Sequence, residues 1–143
     1  MTVSEAVIEW LKTFDMEECR KLKHIDTDLQ SANVESYSLV KEPVQNVKTY
    51  LSGKKVYTDH YMIQARLASQ TNSDRIDNNG FGEALEEWVR NQNSIKNFPI
   101  IKDAAVQSIA VTTPFFMGKT ETNNSIYQTT IAITYEKEKK IWH

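Results

Sequence analysis

The amino-acid sequence predicts an α+β fold: a mainly antiparallel sheet with two principal helices packed on one face. Three observations predict it. Apolar residues recur at helical spacing in residues 3–14 and 81–92, the period expected of a helix that buries one stripe. Period-two alternation marks residues 57–67, 104–115 and 126–136 as strands, because successive strand side chains point to opposite faces. The resulting order is helix, strand, hairpin, helix, hairpin. Helices do not alternate regularly with strands, which argues against a parallel βαβ architecture.

Val3, Ala6, Val7, Trp10, Leu11 and Phe14 form the apolar face of the first helix. Thr2, with Glu5 three residues later, fits a capping box at its start. This face is expected to pack on the protein's own sheet. Residues 15–34 are polar, with Leu22, Ile25, Leu29 and Val34 as anchors, and read as a loop with a short strand or turn. Residues 36–40 read as a strand ended by Pro43, which cannot donate to a ladder.

The clearest strand carries Tyr57, Tyr61, Ile63, Ala65 and Leu67 on one side and Thr58, His60, Gln64 and Arg66 on the other. Ser52-Gly53-Lys54-Lys55 is the turn of a hairpin that joins it to residues 49–51. Residues 69–80 are polar and read as a loop or a fraying helix start. The second helix follows, with Phe81, Leu85, Trp88, Val89 and Gln92 inward and Glu86 and Arg90 outward, four apart. It ends before Pro99.

In residues 104–115, Val106, Ser108 and Ala110 alternate with Ala105, Gln107, Ile109 and Val111. In residues 126–136, Tyr127, Thr129, Ile131, Ile133 and Tyr135 share one side. The polar stretch 118–124 between them predicts a hairpin tip that projects beyond the domain. Residues 137–143 read as a frayed end.

The 143 residues suit a single domain spanning 1–143. A net charge of −2 offers no basic field for phosphate. The single cysteine, Cys19, cannot form an internal disulfide. Residues 1–10 carry Glu5 and Glu9 without an early basic residue and do not read as a signal peptide. No apolar run reaches the length of a membrane span, so a soluble cytoplasmic protein is expected.

The sequence holds no strong catalytic pattern. Cys19 and His24 are the nearest approach to a metal site, but zinc takes four ligands, usually in close pairs, and His60 and His143 stand apart. Asp59-His60 would face opposite sides of a strand, which points to a structural role. Gly80-Phe81-Gly82 lacks the third glycine of a dinucleotide loop, and Ser52-Gly53-Lys54-Lys55 lacks the upstream glycine of a Walker loop. Glu83 and Glu87 read as a solvated helix face. Tyr57, Tyr61, Tyr127 and Tyr135 could line a groove, but such residues more often fill a core rim. Neither catalytic residues nor a cofactor or metal site is expected.

The succession of elements carries a resemblance. Val47-Lys48-Thr49-Tyr50-Leu51-Ser52-Gly53 leads into Tyr57-Thr58-Asp59-His60-Tyr61-Met62-Ile63-Gln64-Ala65-Arg66. A polar segment follows, then Glu83-Ala84-Leu85-Glu86-Glu87-Trp88, Phe98-Pro99, Pro114-Phe115-Phe116 and Ile126-Tyr127-Gln128. This order resembles the small minor capsid or tail-terminator proteins of phages and prophages of Gram-positive bacteria. It spans residues 47–136.

The resemblance implies a non-enzymatic, tail-terminator-like subunit that closes into a ring, commonly a hexamer. The ring would cap the tail tube, end its elongation and join the tail to the head connector. Its partners would be copies of itself, the tail tube protein and the connector or neck protein. DNA would pass through the ring without specific binding, and no membrane is involved. The protein would reside in the virion, in the tail or neck, after assembly in the host cytoplasm. Asn72, Asp74, Arg75, Phe115, Phe116, Lys119, Glu121 and Asn123 are the expected interface residues, from the segments 69–80 and 114–125. A head-completion or neck adaptor fits the same pattern, and a small ligand-binding α+β domain is the alternative from another class.

Overall fold

A computed structural model of the chain describes residues 2–14, 25–27, 36–121 and 123–137. Among the described residues the strands join into one five-stranded sheet of order β1-β2-β3-β5-β4. The strands are β1 (Ile25–Thr27), β2 (Ser36–Thr49), β3 (Lys55–Ala68), β4 (Ala104–Thr120) and β5 (Asn124–Lys137), with helices α1 (Val3–Leu11) and α2 (Asn72–Ser94). The four long strands pair antiparallel, and the short β1 runs parallel to β2. The class is α+β, as the order of elements predicts.

The sheet forms because apolar side chains repeat on alternate residues of adjoining strands. Tyr37 and Leu39 stand opposite Ala65 and Ile63, and Ala65 and Tyr61 stand opposite Tyr127 and Ile131. All are buried in one core together with Val7, Leu11 and Phe14 from the α1 segment and Leu85 and Val89 from α2. The α2 ring of Phe81 meets Phe14, Tyr37 and Phe115 at centroid distances of 6.1, 6.0 and 5.8 Å. Trp10 meets Trp88 at 4.7 Å. Aromatic contacts at these spacings add to the area they bury. Thr2 caps α1 by accepting from the Glu5 amide at 3.1 Å.

Three expectations need correction, and one open alternative is resolved. Pro43 does not end its strand. β2 runs through it to Thr49, and the pairing with β3 is irregular between Lys41 and Gln45. An irregular edge position is where a residue without an N–H can sit in a sheet. Of the two readings of segment 69–80, the helix start holds: it contains the first turns of α2 from Asn72. Thr71 and Asp74 form a complete capping box, and this local chemistry replaces the apolar periodicity that these turns lack. Gly80 and Gly82 are helical residues.

The alternation in β4 also shifts. Its 17 residues face β5 with register breaks at four places. The first lies between Val106 and Ser108, so Val106 and Ile109 both pair with core-facing residues, Tyr135 and Ile133. An extra residue at a bulge reverses the phase downstream. Finally, the β4–β5 tip does not project. Asn124 pairs with Ala68, the last residue of β3, and the Ser69 amide donates to the Asn123 carbonyl at 3.2 Å. The turn is level with the end of the sheet. Leu22, Leu29 and Val34 lie outside the described residues, as do Cys19, His24 and residues 138–143 of the expected frayed end.

Candidate functional site

The register brings the expected interface segments to one end of the sheet. β3 ends where β5 begins, so the start of α2 and the β4–β5 turn lie side by side. Polar side chains tie them. The Arg66 guanidinium donates to Asn124 Oδ1 at 2.7 Å and pairs with Glu121 at 3.1 Å. Ser69 and Ser125 share a buried hydroxyl hydrogen bond of 2.7 Å. Arg75 donates to the Ser69 carbonyl at 2.8 Å, and Asn78 Nδ2 donates to the Ala68 carbonyl at 2.7 Å.

The eight expected residues therefore divide. Asp74 is used in the cap of α2, Arg75 holds the preceding loop, and Glu121 holds Arg66. Phe115 turns inward: its ring stacks on Tyr127 at 5.3 Å, and its amide donates to Glu86. Asn72, Phe116, Lys119 and Asn123 face solvent. Sequence reasoning missed Arg66, the residue that fixes the turn. It also missed Ile76 and Met117, two exposed apolar side chains of this region. Arg66 gave no local signal, because its partners lie on the far side of α2 in sequence. Replacing Arg66 by alanine is expected to cost about 1.5–3 kcal/mol, the value of hydrogen bonds that involve a charged group. Urea denaturation would measure it.

The other end of the core face holds a buried polar cluster. Asp59 is fully buried and accepts hydrogen bonds from Tyr135 Oη at 2.8 Å and from Gln45 Nε2. Tyr57 stacks on Tyr135 at 5.5 Å, and the Lys137 ammonium lies 4.8 Å from the Tyr57 ring centre. Burial, and then the bond to Asp59, push the Tyr135 hydroxyl well above its ordinary range. His60 is on the opposite side of the strand, so Asp59 cannot orient it. Tyr61, Tyr127 and Tyr135 are core residues and form no open groove.

An open cavity of about 420 Å³ lies between α1 and residues 97–100, lined by Trp10, Phe98, Pro99 and Ile100 among others. Among the described residues Glu9 is its one ionisable lining residue. The Trp10 indole is already engaged, donating to the Asn97 carbonyl at 2.8 Å. Among the described residues, convergent polar groups of the kind that orient a small ligand are not assembled there. Among the described residues no group of three or more His, Cys, Asp or Glu side chains could hold a metal ion, and no described helix is long and apolar enough to cross a membrane. No protein-family model matches the chain, and no curated protein matches it significantly.

Proposed function

We propose that the protein is a structural virion subunit of the tail-terminator kind, with both helices on one face of the sheet. It closes into a ring, caps the tail tube and meets the head connector. The observation that carries this reading is where the exposed large apolar side chains lie. Phe116 and Met117 stand on the edge strand β4, Val44 and Val47 at the opposite side of the sheet on the part of β2 past its pairing with the short edge strand β1, and Ile76 in the first turns of α2. A ring is built from a heterologous contact, which joins two different surfaces of the same subunit. A sheet with two unlike edges supplies such surfaces. The tyrosines that a ligand-binding domain would use are instead packed into the core.

The test replaces exposed residues only. Phe116→Asp together with Lys119→Glu is expected to leave the thermal melt unchanged and to prevent ring formation, read by light scattering and negative-stain images with isolated tail tubes. A wild-type protein that neither forms rings nor caps tubes would refute the proposal, as would rings that form undisturbed by the double substitution.

A further inference from the structure

The two edges of the sheet differ in their capacity to accept another strand. The register breaks at four places along β4, and bulges interrupt the regular row of backbone groups that an incoming strand must meet. β2 behaves differently. From Gln45 to Thr49 it pairs with β3 without interruption. Among the described residues its outer side meets only β1, at Tyr37, Ser38 and Leu39. Val44 is 61% exposed, Val47 50% and Leu51 110%.

We propose that this free edge of β2 pairs antiparallel with the same edge of a second copy, about a two-fold axis at Val47. The chemistry selects the occupant and the register. With Val47 opposite the partner's Val47, Gln45 meets the partner's Thr49 and Lys48 meets the partner's Asn46. Val44 then lies beside the partner's Tyr50. Exposed apolar groups meet one another, and the two lysines are kept apart. A slip of two residues in one direction sets Lys48 against the partner's Lys48, and like charges directly opposite are destabilising. The opposite slip sets Lys48 against the partner's Val44 and Val47 against the partner's Gln45. Odd slips place side chains on the wrong faces. Strand addition of this kind uses main-chain hydrogen bonds for affinity and side chains for register.

The contact is isologous, so it uses up both edges and stops at two copies. The uninterrupted stretch 45–49 is about 17 Å long, which places the pair in the small, weak class of interfaces. The pair and the ring draw on the same side of β2, so a subunit held in one does not offer that side to the other; the Phe116 and Lys119 substitutions, on β4, should leave the pair intact.

Sedimentation velocity up to about 1 mM protein is expected to give a monomer–dimer equilibrium. Val47→Lys, which sets two charges together at the axis, should weaken it by at least about tenfold, a difference of about 1.4 kcal/mol. Its thermal melt should match wild type. In a Cys19→Ser background, Val47→Cys should cross-link on oxidation, because the two Cα atoms then lie within disulfide reach. Val44→Cys should not, because the two positions lie about 20 Å apart along the strands. A protein monomeric throughout this range, a Val47→Lys variant that pairs as well as wild type, or equal cross-linking from positions 44 and 47 would each overturn the proposal. Should Val47→Lys fail to fold, the cysteine pair decides.

Discussion

Replacing Gly82 by alanine is expected to destabilise the protein by about 2–3 kcal/mol, in the range of overpacked cores. A Cβ at this position would lie 2.0 Å from Cδ1 and 2.4 Å from Cγ of Phe115. These atoms belong to the root of the ring, so the ring cannot swing clear while its stem stays in place. Relief requires Phe115 to leave its contacts with Tyr127 and Phe81, or β4 to move away from α2. The helix gains only about 0.5–1 kcal/mol from alanine over glycine, so the clash wins. Gly80 provides the contrast within the same helix. Nothing lies within 4 Å of a Cβ there, and Gly80→Ala is expected to stabilise by about 0.5–1 kcal/mol. Urea midpoints of the two variants should therefore move in opposite directions. A neutral Gly82→Ala would mean that β4 does not press on α2 as described.

The second large effect is at the buried cluster. Asp59→Ala is expected to cost about 2–3 kcal/mol, because the Tyr135 hydroxyl loses its acceptor in a buried site. The same pair makes stability depend on alkaline pH. The ordinary tyrosine value is 10.0, and Tyr135 is raised above it in the fold. Below pH 10 the phenol is protonated in both states, and the stabilisation is fully present. Above pH 10 the unfolded chain releases this proton while the folded protein retains it, so stability falls until the folded value is passed. The loss from this group is about 1.4 kcal/mol by pH 11. Tyr135→Phe should lower stability at pH 8 and lose less of it between pH 8 and pH 11 than wild type does. Equal pH dependence of the two proteins would remove Tyr135 as the source.

The helical stripe of residues 3–14, the β3 alternation and the run Tyr127, Thr129, Ile131, Ile133 and Tyr135 were legible because burial imposes a period on each. What period left open or misread has two causes: local chemistry at the start of α2 and pairing geometry in the strands. The first turns of α2 hold Ile76 as a lone large apolar side chain, and it is exposed. Their helix rests on the cap and on the Asn78 bond to Ala68. Pro43 and the β4 bulges obey pairing geometry that one strand's sequence does not contain. The candidate site was legible as two neighbouring polar segments. The inward turn of Phe115 was not, because the space that admits its ring is made by the missing side chain of Gly82, 33 residues away.

The position of β3 has a kinetic consequence. This strand is flanked by β2, its neighbour in sequence, and by β5, with Asp59 and Tyr135 76 residues apart. Two hairpins can form early from nearby residues, but the seam between them must wait for a long loop to close. Until residues 124–137 dock, the apolar side of β3 lacks half its cover. A newly made chain should thus depend on that last docking step to avoid aggregation, and substitutions along the β3–β5 seam should reveal themselves first as poor recovery of soluble protein.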